Sequence, residues 1–107
     1  MIFSRYIFTH ITRRPAPPHD WKYIAFVRTH PCCACGTTRW VEAAHTGPRG
    51  LSQKSDDRQC VPLCANCHRI KPGSLHQAGP GMFQMEWGIC FREIVEGLQG
   101  EFAAGVG

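Results

Sequence analysis

Hydrophobic residues recur at three- and four-residue steps in two stretches of the chain, and this spacing predicts helices. The first stretch follows Asp20, a favourable N-cap residue, and is stopped by Pro31, so a helix is expected over residues 21–29. The second is an amphipathic stripe in the C-terminal part of the chain, which we interpret as core packing with a dimer face as the alternative. Gly88 and Gly97 argue against one unbroken helix there. The stripe consists of Phe83, Trp87, Phe91, Ile94, Val95 and Leu98.

Between these helices the pattern changes to short β-prone runs separated by polar segments. Residues 39–45 (RWVEAAH) and 59–62 are strand candidates. Residues 64–71 (CANCHRIK) are predicted to form a helix that a Pro-Gly pair ends. Residues 46–58 are rich in Gly, Ser, Pro and charge, which predicts a loop, and residues 72–81 are predicted to be a Gly/Pro-rich link.

The chain of 107 residues is predicted to contain one domain. Three prolines in residues 13–19 favour an extended lead-in, so residues 1–19 are expected to be extended or disordered and residues 20–107 to form the domain. A domain of this size buries only about 60–70% of the surface of its unfolded chain. We therefore expect disulfides, a metal ion or oligomerisation to supplement a thin core.

Seven cysteines make a metal ion or disulfides the first candidates. An odd count, and an N-terminal apolar run broken by Arg5 and His10, disfavour a secreted disulfide domain and favour a reducing, cytosolic compartment. No apolar stretch approaches the roughly 20 residues that span a bilayer, so no membrane association is expected.

Two Cys-x-x-Cys knuckles predict one structural Zn²⁺ site, because two such turns present four thiolates to one ion. The first knuckle is Cys32/Cys35, with Cys33 as a competing ligand at the wrong spacing. The second is Cys64/Cys67. The remaining two cysteines are interpreted as small buried hydrophobic residues, and they are Cys60 and Cys90.

The order of motifs from Cys32 to His68 is CxxC, a strand ending in EAAHTG, a polar loop with SDD, and VPLCANCH. This order resembles the HNH endonucleases of the ββα-metal, treble-clef type, and in particular their small phage and prophage members. The resemblance covers about 40 of the 107 residues. It implies an α+β fold, namely a zinc-stapled treble-clef or ββα-metal module with an N-terminal helix and a C-terminal amphipathic helix.

The same resemblance implies a hydrolase that cleaves DNA phosphodiester bonds and leaves 5′-phosphate and 3′-hydroxyl ends. His45 would be the general base that deprotonates the attacking water, and His68 would bind a catalytic divalent cation, Mg²⁺ or Mn²⁺. The chemistry is suitable, since a neutral imidazole accepts a proton near neutral pH and a metal ion stabilises charge on the phosphate. A cytoplasmic location in the bacterial host of a phage or prophage is also implied.

Two departures from the family pattern leave one ligand of the catalytic metal ion unassigned. Many members carry a metal-binding side chain immediately before the base, where this chain has Ala44, and the middle Asn of the signature is not evident. Asp57 and His76 are the candidates for the missing metal ligand. An alternative function follows from the same departures: a catalytically inactive treble-clef zinc module that binds nucleic acid or protein.

The formal charge of +4 indicates an anionic partner only weakly. One Zn²⁺ with four thiolates adds −2, which leaves about +2. Binding to DNA, with RNA left open, would then depend on where the cations lie, and the sequence leaves the oligomeric state open. Five cations near the predicted site are candidate phosphate contacts without base readout, the alternative being a solvated surface; they are Arg49, Lys54, Arg58, Arg69 and Lys71.

Overall fold

A computed structural model describes residues 20–47 and 56–105 of the chain. The predicted lead-in, residues 1–19, lies outside the described residues. The structure is a small α+β arrangement of helices around a two-stranded sheet, as predicted. In chain order its elements are helix α1 (Trp21–Arg28), strand β1 (Val41–His45), a 3-10 turn (Asp57–Gln59), strand β2 (Cys60–Cys64), a π-type helix (Asn66–Ile70), and helices α2 (Leu75–Ala78), α3 (Pro80–Trp87) and α4 (Phe91–Ala103).

Helix α1 forms where the sequence predicted it. The Asp20 carboxylate caps the helix by accepting a hydrogen bond from the Tyr23 N–H at 3.2 Å. Tyr23, Phe26 and Val27 are buried against the sheet and α4, and burying each such side chain contributes about 1.5–3 kcal/mol. The helix ends at Arg28, and the Thr29 N–H still donates to the Phe26 carbonyl.

Strands β1 and β2 pair antiparallel, with His45 opposite Cys60 and Val41 opposite Cys64. All five residues of β2 are buried. The strand extends further than the predicted residues 59–62, so Cys64 is the last residue of a strand and not the first of a helix. Pro62 is accommodated because it faces away from β1, where its carbonyl accepts a hydrogen bond from the Cys33 N–H at 2.8 Å.

The segment after β2 differs from prediction in two respects. The predicted helix over residues 64–71 is the shorter π-type helix Asn66–Ile70, in which the Lys71 N–H donates to the Asn66 carbonyl five residues earlier. The predicted link over residues 72–81 was wrong, because it contains α2 and the first two residues of α3. Pro80 begins α3, a position where the missing N–H of proline costs nothing.

The C-terminal stripe occupies two helices, α3 and α4. Gly88 adopts a left-handed φ of 66° and ends α3, whereas Gly97 lies inside α4 without interrupting it. The core-packing interpretation is confirmed by four buried members of the stripe, although Trp87 remains 42% exposed. Those four residues are Phe83, Phe91, Val95 and Leu98.

The two unassigned cysteines have different surroundings. Cys60 is fully buried at the start of β2, which confirms its interpretation as a small core residue. Cys90 is only partly buried and precedes α4, so its prediction as a buried residue was wrong; the break at Gly88 places it between helices. None of the helices in residues 20–47 and 56–105 is both long and apolar enough to cross a membrane.

Candidate metal centre and histidine cleft

The two knuckles meet and form a four-cysteine cluster of Cys32, Cys35, Cys64 and Cys67. Their Sγ atoms all lie within 4.8 Å of one another. The Sγ atoms of Cys35 and Cys64 are 3.7 Å apart. Four sulfurs at the usual Zn–S distance form a tetrahedron with edges of about 3.8 Å, so the cluster has the donor type and size that a structural zinc requires.

Local hydrogen bonds shape the first knuckle. Gly36, with a φ of 83°, closes the turn by donating its N–H to the Cys32 carbonyl at 2.9 Å. The N–H groups of Ala34 and Cys35 each lie 3.4 Å from the Cys32 Sγ. Burial raises the pKa of the Cys32 thiol, but N–H donors outweigh this effect and bring the pKa to about 7. The knuckle therefore favours a thiolate, the form that binds zinc.

Cys33 is not a member of the cluster, although it follows a cluster residue directly. It packs against the hydrophobic core, and burial raises the pKa of its thiol to about 12. All seven cysteines are free thiols in the structure, so no disulfide competes with metal binding.

His45, the last residue of β1, forms a hydrogen-bonded pair with Asp57. The His45 Nε2 lies 2.8 Å from the Asp57 Oδ1, and because a carboxylate only accepts, Nε2 carries the proton. The other carboxylate oxygen, Oδ2, accepts the backbone N–H of Asp20 at 2.8 Å. Asp57 is 7% exposed. This arrangement fixes the imidazole ring of His45 and leaves Nδ1 as its unprotonated nitrogen.

Asp57 reaches His45 because it lies in the 3-10 turn that follows the loop. The Asp56 side chain accepts a hydrogen bond from the Arg58 N–H at 2.9 Å and caps the 3-10 turn. The turn places Asp57 next to His45, the last residue of β1. The loop prediction over residues 46–58 was therefore wrong for its last two residues.

Two further histidines, one on the π-type helix and one on α2, contact each other. The rings of His68 and His76 meet edge to face with their centroids 4.5 Å apart. The His68 Nδ1 donates to the Glu42 Oε1 at 2.7 Å, which leaves the His68 Nε2 available. Burial lowers the pKa of His68. A neutral imidazole with a carboxylate on its other nitrogen is a common arrangement for metal-binding histidines.

Glu42 holds both His68 and Arg69. The Arg69 Nε and Nη2 donate to its two carboxylate oxygens at 3.1 and 2.8 Å. Hydrogen bonds from Arg69 and then His68 lower the pKa of Glu42 to about 2, despite the opposing effect of burial. Glu42 is therefore ionised at neutral pH and accepts a hydrogen bond from the protonated Nδ1 of His68.

A cleft of about 500 Å³ brings part of the predicted site together. His45 and His76 both line it, with Phe91 from α4 among the other lining residues. His68 joins this site through its contact with His76, and Asp57 joins it through its hydrogen bond to His45. In the part of the chain that the structure describes, only the four cysteines form a group of three or more His, Cys, Asp or Glu side chains close enough to share an ion. Asp57, His68 and His76 do not form one.

The predicted phosphate contacts have different outcomes. Arg49 and Lys54 lie outside the described residues. Arg69 is bound by Glu42, and Arg58 forms an ion pair with Asp20, its Nη2 lying 2.8 Å from the Asp20 Oδ2. Lys71 is exposed at the end of the π-type helix.

Sequence reasoning missed Glu42 and Asp20 as residues that support the site. Glu42 lies three positions before His45, within the quoted strand, but its partners lie 26 and 27 residues further along the chain. Asp20 was recognised only as a helix cap. No local spacing signals either contact.

The described residues define a small α+β protein with a four-cysteine cluster that could hold zinc. Residues 12–105 match the model of the family described as "Protein of unknown function (DUF968)", so the chain belongs to that family. No curated protein and no solved structure matches the chain.

Proposed function

We propose that the protein is a zinc-stabilised, HNH-type endonuclease of the treble-clef, ββα-metal kind that hydrolyses phosphodiester bonds in DNA. The observation that supports this proposal is the cleft that His45, hydrogen-bonded to a buried carboxylate, lines together with His76, whose ring contacts that of His68. Hydrolysis of a phosphodiester requires a base for the attacking water and positive charge for the phosphate. In this proposal His45 is the base, and a divalent ion held by His68 and His76 would supply the charge.

His45 is the general base in this proposal. Its Nε2–H is committed to Asp57, so Nδ1 takes the proton from water. The buried carboxylate stabilises the imidazolium that results and holds the ring in place, as a triad carboxylate does. Asp57 is therefore assigned to orienting the base, and the metal-ligand role is assigned to His76 with His68.

A catalytic divalent ion, held by His68 and His76, would stabilise the charge that develops on the phosphate and the leaving oxygen. Two protein ligands are sufficient, because such ions keep several waters and take further oxygens from substrate phosphates. Imidazole nitrogen suits Mn²⁺ and later transition ions better than Mg²⁺. We therefore expect Mn²⁺ to support cleavage at lower concentrations than Mg²⁺.

The test of the proposed function is a divalent-ion titration of plasmid nicking by purified, zinc-loaded protein. Nicking that co-elutes with the protein through successive columns and disappears in the His45→Ala variant supports the nuclease. Products should be substrates for a ligase, because the expected ends are 5′-phosphate and 3′-hydroxyl.

Replacing His68 with alanine should weaken binding of the catalytic ion, because it removes a ligand and leaves Glu42 with Arg69 alone. Calorimetric titration with Mn²⁺ should show at least a tenfold loss of affinity, and residual nicking should demand more metal. Glu42→Gln should lower affinity by about 10–100-fold, the usual effect of losing an outer-shell partner. His30→Ala is the matched control, since His30 binds Glu101 away from the cleft. Unchanged Mn²⁺ affinity in His68→Ala would remove His68 from the metal site.

One observation favours the alternative function, a zinc module that binds nucleic acid or protein without catalysis. The described residues contain no third His, Cys, Asp or Glu side chain close enough to share an ion with both His68 and His76. Absence of nicking with every divalent ion, combined with salt-dependent retention of DNA, would support that function over the nuclease.

A further inference from the structure

Arg58 is bound by residues of two helices, α1 and α4, although its side chain is 43% exposed. Its Nε and Nη2 lie 2.9 and 2.8 Å from the Asp20 Oδ2 at the start of α1. Its guanidinium carbon lies 4.8 Å from the ring centre of Tyr23 and 5.0 Å from that of Phe102, one ring from α1 and the other from α4. The Gln99 side chain also donates to the Arg58 carbonyl at 2.7 Å.

These contacts join Arg58 to Asp20, the residue whose backbone N–H also binds Asp57. Arg58 binds the side chain of Asp20, while the backbone N–H of Asp20 donates to the Asp57 Oδ2. Two neighbouring residues of the 3-10 turn are thus joined to a single residue at the start of α1. The other oxygen of the same Asp57 carboxylate, Oδ1, is the atom hydrogen-bonded to His45.

We infer that Arg58 and Asp20 are positioning residues for the base, acting through Asp57 on the ring orientation and tautomer of His45. This inference rests on the proposed function for its kinetic consequence, but its structural claim is independent of nuclease activity. It is an alternative to the expectation that Arg58 contacts phosphate: two guanidinium nitrogens are bound to Asp20, and two aromatic rings lie within 5.0 Å of the guanidinium carbon.

The two roles predict different kinetics. Loss of a phosphate contact weakens DNA binding and raises KM. It also reduces by about one the slope of the logarithm of the binding constant against the logarithm of salt concentration. Loss of a positioning residue lowers kcat and leaves KM and the salt slope unchanged. Because misplacement of a catalytic group by about 1 Å can cost about 10²-fold, we expect Arg58→Ala to lower kcat by about 10–100-fold.

The experiment compares Arg58→Ala, Asp20→Ser and the double variant. Serine preserves helix capping and the backbone N–H to Asp57, but it removes the carboxylate that holds Arg58. The single variants should lower kcat by similar factors, and the double variant should lose little more, because both disrupt one connection. Arg58→Lys keeps the charge without the planar fork and should recover only part of the rate. Arg28→Ala, an exposed arginine of α1, should behave as wild type.

A second measurement does not depend on cleavage. Nitrogen-15 spectra of the imidazole rings in the zinc-loaded protein should show His45 protonated at Nε2, and both single variants should shift it toward a mixture of tautomers. Variants with unchanged spectra and kcat, or an Arg58→Ala with raised KM and a reduced salt slope, would overturn the inference while leaving the nuclease intact. A wild-type protein that never cleaves would refute the proposed function, and the spectra would still decide the positioning role. If Arg58→Ala does not fold, Asp20→Ser and Arg58→Lys decide it.

Discussion

Replacing His45 with alanine is expected to lower DNA cleavage by about 10²–10⁴-fold, the usual contribution of acid–base catalysis. The variant removes the only proposed proton acceptor and leaves Asp57 buried beside a small void. Because His45 is not assigned to either metal, zinc content and Mn²⁺ affinity should remain close to wild type. Plasmid nicking at saturating metal ion and calorimetry on the same preparation measure the two quantities.

Asp57→Asn provides the graded control for this experiment. The amide can still meet His45 but does not carry the charge that stabilises an imidazolium, so the loss of rate should be smaller than in His45→Ala. Wild-type cleavage by His45→Ala would refute the assignment of the base. A loss of Mn²⁺ affinity in the same variant would indicate instead that His45 binds metal.

Replacing Cys64 with alanine is expected to produce an unfolded or insoluble chain. Zinc binding to a site of four thiolates contributes on the order of 10–16 kcal/mol, whereas a whole domain is stable by only about 5–15 kcal/mol. Cys64 also packs in the hydrophobic core and is 4% exposed, so its loss affects packing and metal binding together. Circular dichroism and elemental analysis of the purified chain measure fold and zinc content.

Cys33→Ala is the matched control, because Cys33 adjoins a cluster residue without belonging to the cluster. It should retain one zinc per chain and lose only the packing of one sulfur atom. Cys90→Ala should likewise cost little, since Cys90 is partly buried, as Cys33 is. A wild-type protein that folds without zinc would contradict the role given to the four cysteines.

The elements of this fold that depend on local spacing were predictable. Asp20 and Pro31 delimit α1 within one residue of the structure, since capping and helix termination are properties of a few adjacent residues. The knuckle spacing also predicted the cysteine cluster, because each pair lies within one turn. Gly88 was recognised as a weak position; in the structure its left-handed conformation separates α3 from α4, and both helices pack in one core.

The partnerships within the site were not predictable, because they depend on contacts distant in sequence. Asp57 was expected near a metal ion, yet strand register and a short turn place its carboxylate against His45, 12 residues away. Arg58 was expected on a phosphate and is bound 38 residues away by Asp20. Charged residues in a loop have many possible partners, and only the packed arrangement of α1, β2 and α4 selects among them.

The cysteine cluster has a consequence for inhibition experiments with chelators. The two knuckles lie on either side of β1 in the chain, and β1 ends in His45. Removal of the zinc would therefore unfold the cleft and displace the proposed base. Loss of cleavage in EDTA would therefore report on either of two ions. If cleavage lost after brief EDTA treatment returns on addition of Mn²⁺ alone, the catalytic ion was removed. If cleavage lost after prolonged treatment returns only on refolding with Zn²⁺, the structural ion was removed.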